Sequence, residues 1–332
     1  MKLLTPSRLA WILLWAGLAV SARAEADLKI GIIGLDTSHV VLMTALLNDP
    51  AAKDHIPGAR VVCAYKGGSP DMAISRLRID DFTAQLHDRY GVEIVDSIPE
   101  LLTRCDAVVI ESVDGRVHLR QAEAVFPSGK PVFMDKPLAN SLAEARAIVR
   151  LARKTHTPLF SASPFRFTAG LQGLRRAPIG PLRGAVTYGN GTNEPHTPDL
   201  FYEAIHPLEA LYVILGTGCE SVSCIRTEES DVVTGIWPGG RTGVLYALRH
   251  TWTVGAGALV FGEHGVRSDA TFPKEGFRPL TQEIVKFFRT RKSPVPLEET
   301  LEILEVLVAA NQSHLDGGAP VKLRELAENA GP

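Results

Sequence analysis

The sequence predicts an α/β protein of two domains, a doubly wound parallel sheet followed by an α+β domain with an open, mostly antiparallel sheet. Short apolar strand patterns alternate with helical segments over residues 27–162. Over residues 163–332, several strand patterns follow one another with few helices between them. The 332 residues, 45% hydrophobic and 22% charged, are enough for a sizeable core in each domain.

Residues 1–24 have the three parts of a secretory signal. Lys2 and Arg8 precede an uncharged run over 9–20, and Ala22-Arg23-Ala24 forms a cleavage site. The run is too short to span about 30 Å of hydrocarbon. It contains no Arg-Arg pair, so we expect export by the general-secretory route to the periplasm or the extracellular space. An uncleaved anchor is the alternative; after cleavage we expect no membrane attachment.

The charge and the cysteines exclude several classes of function. A formal net charge of −2 gives no electrostatic reason to expect nucleic-acid binding. Cys63 lies in a predicted strand and Cys105 lies just before another, so we interpret both as small core residues. Cys219 and Cys224 are close enough to pair in an oxidising compartment, which leaves that bridge open. No His or Cys residues stand near the cysteines at ligand spacing, and we predict no metal site.

The first domain begins with a buried strand over 28–34 and a helix that repeats apolar residues at helical spacing. A second strand covers 61–65, and Ser69-Pro70-Asp71 predicts a helix start. Ser97 with Glu100, and Ser141 with Glu144, have capping-box spacing. The remaining strands are predicted at 106–110, 130–134 and 158–161, with helices at 116–126 and 141–154.

The second domain is predicted to contain a sheet and three helical segments. The expected strands are 182–190, 220–226, 230–237, 242–252 and 256–262, several of them bounded by glycine. One helix is expected at 202–215, and two more, at 280–289 and 297–312, come near the end of the chain.

The turn after the first strand is where a dinucleotide pyrophosphate rests in doubly wound sheets. The usual fingerprint is G-x-G-x-x-G, and this turn keeps only its first glycine: Gly34, Leu35, Asp36, Thr37, Ser38, His39. Asp36, Thr37 or Ser38 is available as the helix cap, and a capping role explains Asp36 and Ser38 equally well. His39 faces a ligand or only begins the helix. Lys66, after the second strand, is placed to meet the 2′-phosphate of NADP, or is a solvated lysine.

Three motifs occur in an order that resembles the glucose-fructose oxidoreductase / inositol dehydrogenase (Gfo/Idh/MocA) family. Asp135-Lys136-Pro137 after a strand resembles that family's E-K-P motif. The stretch from Glu111 to His118 resembles its strand and loop ending in histidine. The helix carrying His206 and Glu209 resembles its G-x-H-x-x-D helix, with Glu in place of Asp. The tail over 294–323 resembles its closing helices and last strand.

The resemblance implies a Rossmann domain that binds NAD or NADP tightly and a second domain that holds a substrate. It implies that Lys136 and His206 handle a carbinol proton, with Glu209 or Tyr202 assisting. Arg166, His118 and Asp114 are implied on the substrate side, with a salt bridge as the alternative for Arg166. The implied cofactor contacts are Gly34, Leu35, Asp36, Thr37, Ser38, His39, Lys66, Glu111, Asp135 and Lys136.

Two functions remain open from the sequence. The first is NAD(P)-dependent hydride transfer to or from a carbinol of a sugar, cyclitol or related polyol. The second is a non-redox carbohydrate-binding protein on the same fold that has lost the dinucleotide, favoured by the damaged glycine fingerprint. The resemblance also implies a homo-oligomer formed through the open sheet of the second domain.

Overall fold

The computed structural model describes residues 26–249, 255–272 and 276–328. The predicted signal segment 1–24 lies outside the described residues, as do the last residues of the strand predicted at 242–252. Among the described residues, no helix has the length and apolar character needed to cross a membrane.

The first domain is a six-stranded parallel sheet in the order β3-β2-β1-β4-β5-β6. Its strands are built from short apolar runs, which suits a sheet covered by helices on both faces. The strands are β1 (Leu28–Ile33), β2 (Ala59–Tyr65), β3 (Glu93–Val95), β4 (Ala107–Ile110), β5 (Val132–Met134) and β6 (Leu159–Phe160). The order reverses between β1 and β4, and at such a point the loops after the two strands separate and leave a crevice.

The helices of this domain pack on both faces of the sheet. They are α1 (Ser38–Asn48), α2 (Ala73–Arg76), α3 (Ile79–Ala84), α4 (Ile98–Arg104), α5 (His118–Val125) and α6 (Leu142–Thr155), and a π-helical turn at Gln85–Arg89 continues α3. Ser97 and Ser141 cap their helices at the predicted positions, because their hydroxyls accept hydrogen bonds from the backbone N–H groups of Glu100 and Glu144.

One local prediction for this domain was wrong, and one strand was missed. The helix expected to start at Ser69-Pro70-Asp71 begins at Ala73, because Ser69 and Asp71 are bound to residues after β4 instead of capping. The edge strand β3 was not predicted, since three residues are too few to show a period.

The second domain is a seven-stranded mixed sheet in the order β12-β11-β7-β10-β9-β8-β13. Only β7 and β10 pair in parallel, so the sheet is mostly antiparallel, as predicted. Its strands are β7 (Leu182–Asn190), β8 (Ser221–Arg226), β9 (Ser230–Trp237), β10 (Arg241–Leu248), β11 (Ala256–Gly262), β12 (Gly265–Phe272) and β13 (Val321–Lys322). Strand β12 was missed, because its polar sequence carries no apolar alternation.

Helices cover one face of this sheet and connect it to the first domain. They are α7 (Ala169–Arg175), α8 (Ile205–Leu215), α9 (Arg278–Thr290), α10 (Leu297–Leu315) and α11 (Leu323–Glu328). Helix α8 packs on the central strands, while α10 contacts both β8 and α6. Helix α9 returns to pack on α1. One apolar cluster joins residues of both sheets, and a second one lies between the first sheet, α1 and α9.

The four cysteines are buried free thiols. Cys219 and Cys224, whose pairing the sequence left open, are not bridged in this structure.

Candidate functional site

A small polar cavity lies at the carboxyl ends of β1 and β5, beside the first turn of α1. Ligand sites in open α/β sheets form at this edge. The segment just before α8 closes its other side. Its lining residues are Thr37, Ser38, His39, Arg78, Val113, Asp135, Lys136, Tyr202 and Glu203. Hydroxyl, carboxylate, imidazole and ammonium groups therefore converge on one space.

Three titratable side chains meet at the floor of this cavity. His39 Nδ1 lies 2.9 Å from Asp135 Oδ2 and 3.6 Å from Glu111 Oε2. Glu111 and Asp135 follow the adjacent strands β4 and β5 and are almost fully buried. His39 stacks at 4.6 Å on the ring of Phe277, which precedes α9.

Burial and charge act in opposite directions on these three groups. Burial alone lowers the pKa of His39, but the charge of Asp135 and contacts with both carboxylates outweigh it and raise that pKa to about 10. Burial, with the nearby Asp135 charge, raises the pKa of Glu111 to about 7. Burial also acts to raise the pKa of Asp135, yet His39 and Lys136 hold it below its ordinary value.

Lys136 is a buried ammonium group in the cavity wall. Its Nζ donates to the Tyr202 carbonyl oxygen at 3.0 Å and lies 4.0 Å from Glu203 Oε1. It also lies 5.3 Å from the centre of the Tyr202 ring. Burial acts to lower its pKa, but Glu203 and Asp135 raise it above the ordinary value. At neutral pH, Lys136 is therefore a proton donor and a positive charge, not a base.

His206 and Glu209 lie behind the cavity wall rather than in it. His206 Nδ1 is 2.7 Å from the Ser163 hydroxyl, and its Nε2 is 3.8 Å from Glu203 Oε2. Burial lowers the pKa of His206 well below its ordinary value, and the positive charge of Lys136 adds to the effect. His206 is therefore a neutral imidazole that does not line the cavity but lies beside Glu203, which does.

Glu209 is held by two partners. Its Oε1 accepts from the Ser163 backbone N–H at 2.9 Å, and its Oε2 lies 3.1 Å from Arg166 Nε. Arg166 also pairs with Glu299. The structure therefore places Arg166 in a buried ion-pair cluster, which agrees with the salt bridge given as its alternative role from the sequence. Neither side chain lines the cavity.

The turn between β1 and α1 is covered by the rest of the chain. Gly34, Leu35, Asp36 and Thr37 are all buried, and Ser38 is the first exposed residue. Asp36 Oδ1 accepts from the Val113 backbone N–H at 2.9 Å, and Oδ2 accepts from the Ser75 hydroxyl at 2.6 Å. Asp36, which stands at the position of the second glycine, thus connects the loop after β2 to the loop after β4.

The segment after β2, residues 66–78, crosses the end of β1 to reach the loop after β4. Ser69 donates to Asp114 at 2.6 Å, and Arg116 pairs with both Asp71 and Asp114. Ser69 and Asp114 are buried. This crossing occupies the crevice that the strand order creates between β1 and β4.

A dinucleotide does not fit this crevice as the residues stand. The resemblance implies a pyrophosphate on the turn after β1, yet residues 34–37 of that turn are buried. Two buried carboxylates, Asp36 and Asp114, lie in the turn and the loop beside this crevice, and negative charge there disfavours an anionic phosphate. Lys66, expected at a 2′-phosphate, is partly exposed and pairs with Asp80.

Two other residues expected at the substrate have partners within the chain. His118 is fully buried, with Nδ1 at 3.1 Å from the Leu138 carbonyl oxygen and Nε2 at 2.9 Å from the Ser112 carbonyl oxygen. Asp114 is bound by Ser69 and Arg116, as described above. Both connect loops, and neither lines the cavity.

Sequence reasoning missed three residues of the cavity, Arg78, Val113 and Glu203. Glu203 stands beside Tyr202 in the motif that carries His206, and its acidic side chain three residues before the histidine was the available signal. Arg78 lies between α2 and α3, and nothing in its local sequence marks it. Only the crossing of residues 66–78 over the sheet brings Arg78 to the site.

Comparison with known proteins identifies the first domain. Residues 28–163 match the Gfo/Idh/MocA oxidoreductase family, described as having an NAD-binding Rossmann fold. No match was found among curated proteins.

Several solved structures share the fold over nearly their whole length. Scyllo-inositol dehydrogenase from Lactobacillus casei, solved with NAD(H) and scyllo-inositol, superposes with a TM-score of 0.74 at 16% identity, covering 90% of this chain and 99% of that one. Myo-inositol 2-dehydrogenase from Lactobacillus plantarum gives 0.74 at 16% identity, with coverages of 89% and 99%. A probable dehydrogenase from Thermotoga maritima gives 0.71 at 21%, with coverages of 90% and 99%. The family match over residues 28–163 agrees with the motif order, and the solved structures share the fold of both domains.

Proposed function

We propose that this protein binds a sugar, cyclitol or related polyol in the cavity at the end of β5, without a dinucleotide in the crevice beside it. The observation that carries the proposal is the convergence of Lys136, Glu203 and the Tyr202 side chain on a cavity next to a buried β1–α1 turn. Such a lining supplies both donors and acceptors, which a ligand with several hydroxyl groups requires.

The residues around the cavity have separate tasks in this proposal. The Lys136 ammonium donates to a ligand oxygen, and the Glu203 carboxylate accepts from a hydroxyl. His206 positions Glu203 through the 3.8 Å contact and is itself held by Ser163. The solved inositol dehydrogenases of the same fold are named for cyclitol substrates, which supports a polyol as the ligand class.

Isothermal titration with a panel of cyclitols and sugars tests this proposal. We expect at least one ligand to bind the wild type. Lys136→Met and Glu203→Gln should each lower the affinity for that ligand by about tenfold or more, since each substitution removes a charged hydrogen bond. Glu302→Gln, which removes a carboxylate bound to Gly218 and Cys219 far from the cavity, is the matched control. Equal binding by all three variants would place the ligand elsewhere.

A second candidate is NAD(P)-dependent hydride transfer to or from a carbinol of the same ligand class. The family match over residues 28–163 favours it. It requires residues 66–78 to leave the crevice. Mass spectrometry of small molecules released from the denatured protein, purified from its native compartment, separates the two. Nicotinamide dinucleotide at about one per chain supports the second candidate, and its absence supports the first.

We also propose that the protein is exported, as the segment 1–24 predicts. Fractionation of cells expressing the full chain, followed by N-terminal sequencing, tests this. The expected mature protein begins at Glu25, and an intact Met1 on a cytoplasmic protein would refute export.

A further inference from the structure

We propose that His39, Glu111 and Asp135 form a binding site for one divalent transition-metal ion. The inference goes beyond the proposed polyol binding and does not depend on it. The three residues come from α1, the end of β4 and the end of β5, so the fold brings them together from distant parts of the sequence. The sequence analysis predicted no metal site, because no local ligand spacing exists.

The geometry is close to that of an occupied site. One ligand atom from each residue, His39 Nδ1 and one oxygen of each carboxylate, lies within 4.8 Å of the others. Metal bonds to imidazole nitrogen and carboxylate oxygen are about 2.0–2.2 Å long, so ligands on opposite sides of one ion are about 4.2 Å apart. His39 Nδ1 lies 2.9 Å from Asp135 Oδ2 and 3.6 Å from Glu111 Oε2, so small side-chain movements would bring all three to bonding distance.

The carboxylate oxygens lack the partners that buried charges require. Within the described residues, neither oxygen of Glu111 has a hydrogen-bond partner, and Asp135 Oδ1 has none either. Glu111 is fully buried and Asp135 almost so. A buried carboxylate without hydrogen bonds is costly, and the usual solutions are a paired charge or a metal ion.

A protonated His39 cannot supply a hydrogen bond to both carboxylates, Glu111 and Asp135. A single N–H, on Nδ1, faces them, and at 2.9 Å it is directed to Asp135. Glu111 Oε2 is left 3.6 Å from the same nitrogen, beyond hydrogen-bonding distance. A cation bound between the three side chains would contact both carboxylates at once and would replace the Nδ1 proton.

The donor set indicates the kind of ion. One imidazole nitrogen with two carboxylates suits Mn²⁺, Fe²⁺ or Zn²⁺ better than the all-oxygen preference of Ca²⁺ or Mg²⁺. Three protein ligands leave coordination positions open. Since His39 and Asp135 line the cavity, a ligand or water there can reach these positions.

Titration of the chelator-treated full chain with Mn²⁺, followed by electron paramagnetic resonance of free Mn²⁺, tests the site directly. We expect one saturable Mn²⁺ per chain, displaced by Zn²⁺. Glu111→Gln and His39→Gln should each weaken binding by about 100-fold or more, since each removes a direct ligand. Glu302→Gln removes a carboxylate outside the site and should bind Mn²⁺ as the wild type does.

Thermal unfolding gives a second readout that guards against misfolded variants. Without metal, Glu111→Gln should be at least as stable as the wild type, because it removes a buried charge. With Mn²⁺, only the wild type and the control should gain stability. A wild type that binds no more Mn²⁺ or Zn²⁺ than folded Glu111→Gln would overturn the proposal. Because no polyol is present, that result would leave the proposed function standing.

Discussion

At the residue scale, Asp36 shows how one side chain in the turn after β1 changes what a shared fold can bind. A glycine in its place would leave room on the turn, whereas the Asp36 carboxylate accepts from Val113 and Ser75 and closes the crevice. Burial raises the pKa of Asp36 despite these hydrogen bonds. The sequence allowed a helix cap here, but the structure gives that role to Thr37.

Asp36→Ala should destabilise the protein by about 2–3 kcal/mol, because it leaves a buried N–H and a buried hydroxyl without an acceptor. Urea unfolding monitored by circular dichroism measures the change. Asp80→Ala, at an exposed ion pair with Lys66, is the control and should change stability by less than about 1 kcal/mol. Equal effects of the two substitutions would show that Asp36 does not connect the loops.

His206 should make stability depend on pH. Its pKa is lowered in the folded state, so between pH 6.5 and that lower value the unfolded chain binds a proton that the folded chain does not. Stability is therefore retained above about pH 6.5 and falls as the pH drops, by up to about 1.4 kcal/mol per pH unit.

Urea unfolding at pH 7 and pH 5 measures this contribution as a difference between proteins. Wild type should lose more stability over this interval than His206→Gln does, because the variant lacks the titrating group. An identical loss in both proteins would contradict the buried, neutral state of His206.

At the element scale, the sequence predicts those helices and strands that are determined by local residue patterns. Apolar strand runs and the capping boxes at Ser97 and Ser141 predicted most elements of the first domain to within a few residues. The start of α2 was not predictable, because Ser69 binds Asp114, which is 45 residues further along the chain. The candidate metal site was not predictable for the same reason, since its ligands His39 and Asp135 are 96 residues apart in the sequence.

The segment 66–78 should be held in place by its serine hydroxyls. In a Ser69→Ala/Ser75→Ala double variant, amide hydrogen exchange of residues 66–78 should accelerate by about tenfold or more, because two buried hydrogen bonds to carboxylates are lost. Exchange mass spectrometry measures this, and Ser128→Ala serves as a distant control. Unchanged exchange in the double variant would mean that the crevice is closed by other contacts.

At the scale of the whole molecule, no helix among the described residues contacts one face of the second sheet over its central strands. Directly paired residues on four neighbouring strands form an apolar row across it: Ile225, Val232, Tyr246 and Tyr188. Ile225 and Tyr246 are 66% and 40% exposed, so part of this contiguous apolar row faces outward. Such a row favours pairing with a second copy of the chain.

Sedimentation velocity tests that pairing. We expect the wild type to sediment as a dimer at micromolar concentration and Ile225→Glu/Tyr246→Glu to sediment as a monomer, because two charges would be buried unpaired in the contact. Leu77→Glu, which replaces an exposed leucine of the first domain, should remain dimeric. A double variant with the wild-type sedimentation coefficient would exclude this face as the interface.

The central claim concerns the whole molecule as well: a fold shared with NAD-binding oxidoreductases has its dinucleotide crevice closed by Asp36 and residues 66–78. Titration of the purified, ligand-stripped protein with NADH and NADPH, followed by nicotinamide fluorescence, tests it most directly. The structure predicts no saturable binding of either dinucleotide up to about 1 mM, a concentration that covers weak sites with binding free energies near −4 kcal/mol. Saturable micromolar binding at one site per chain would contradict it.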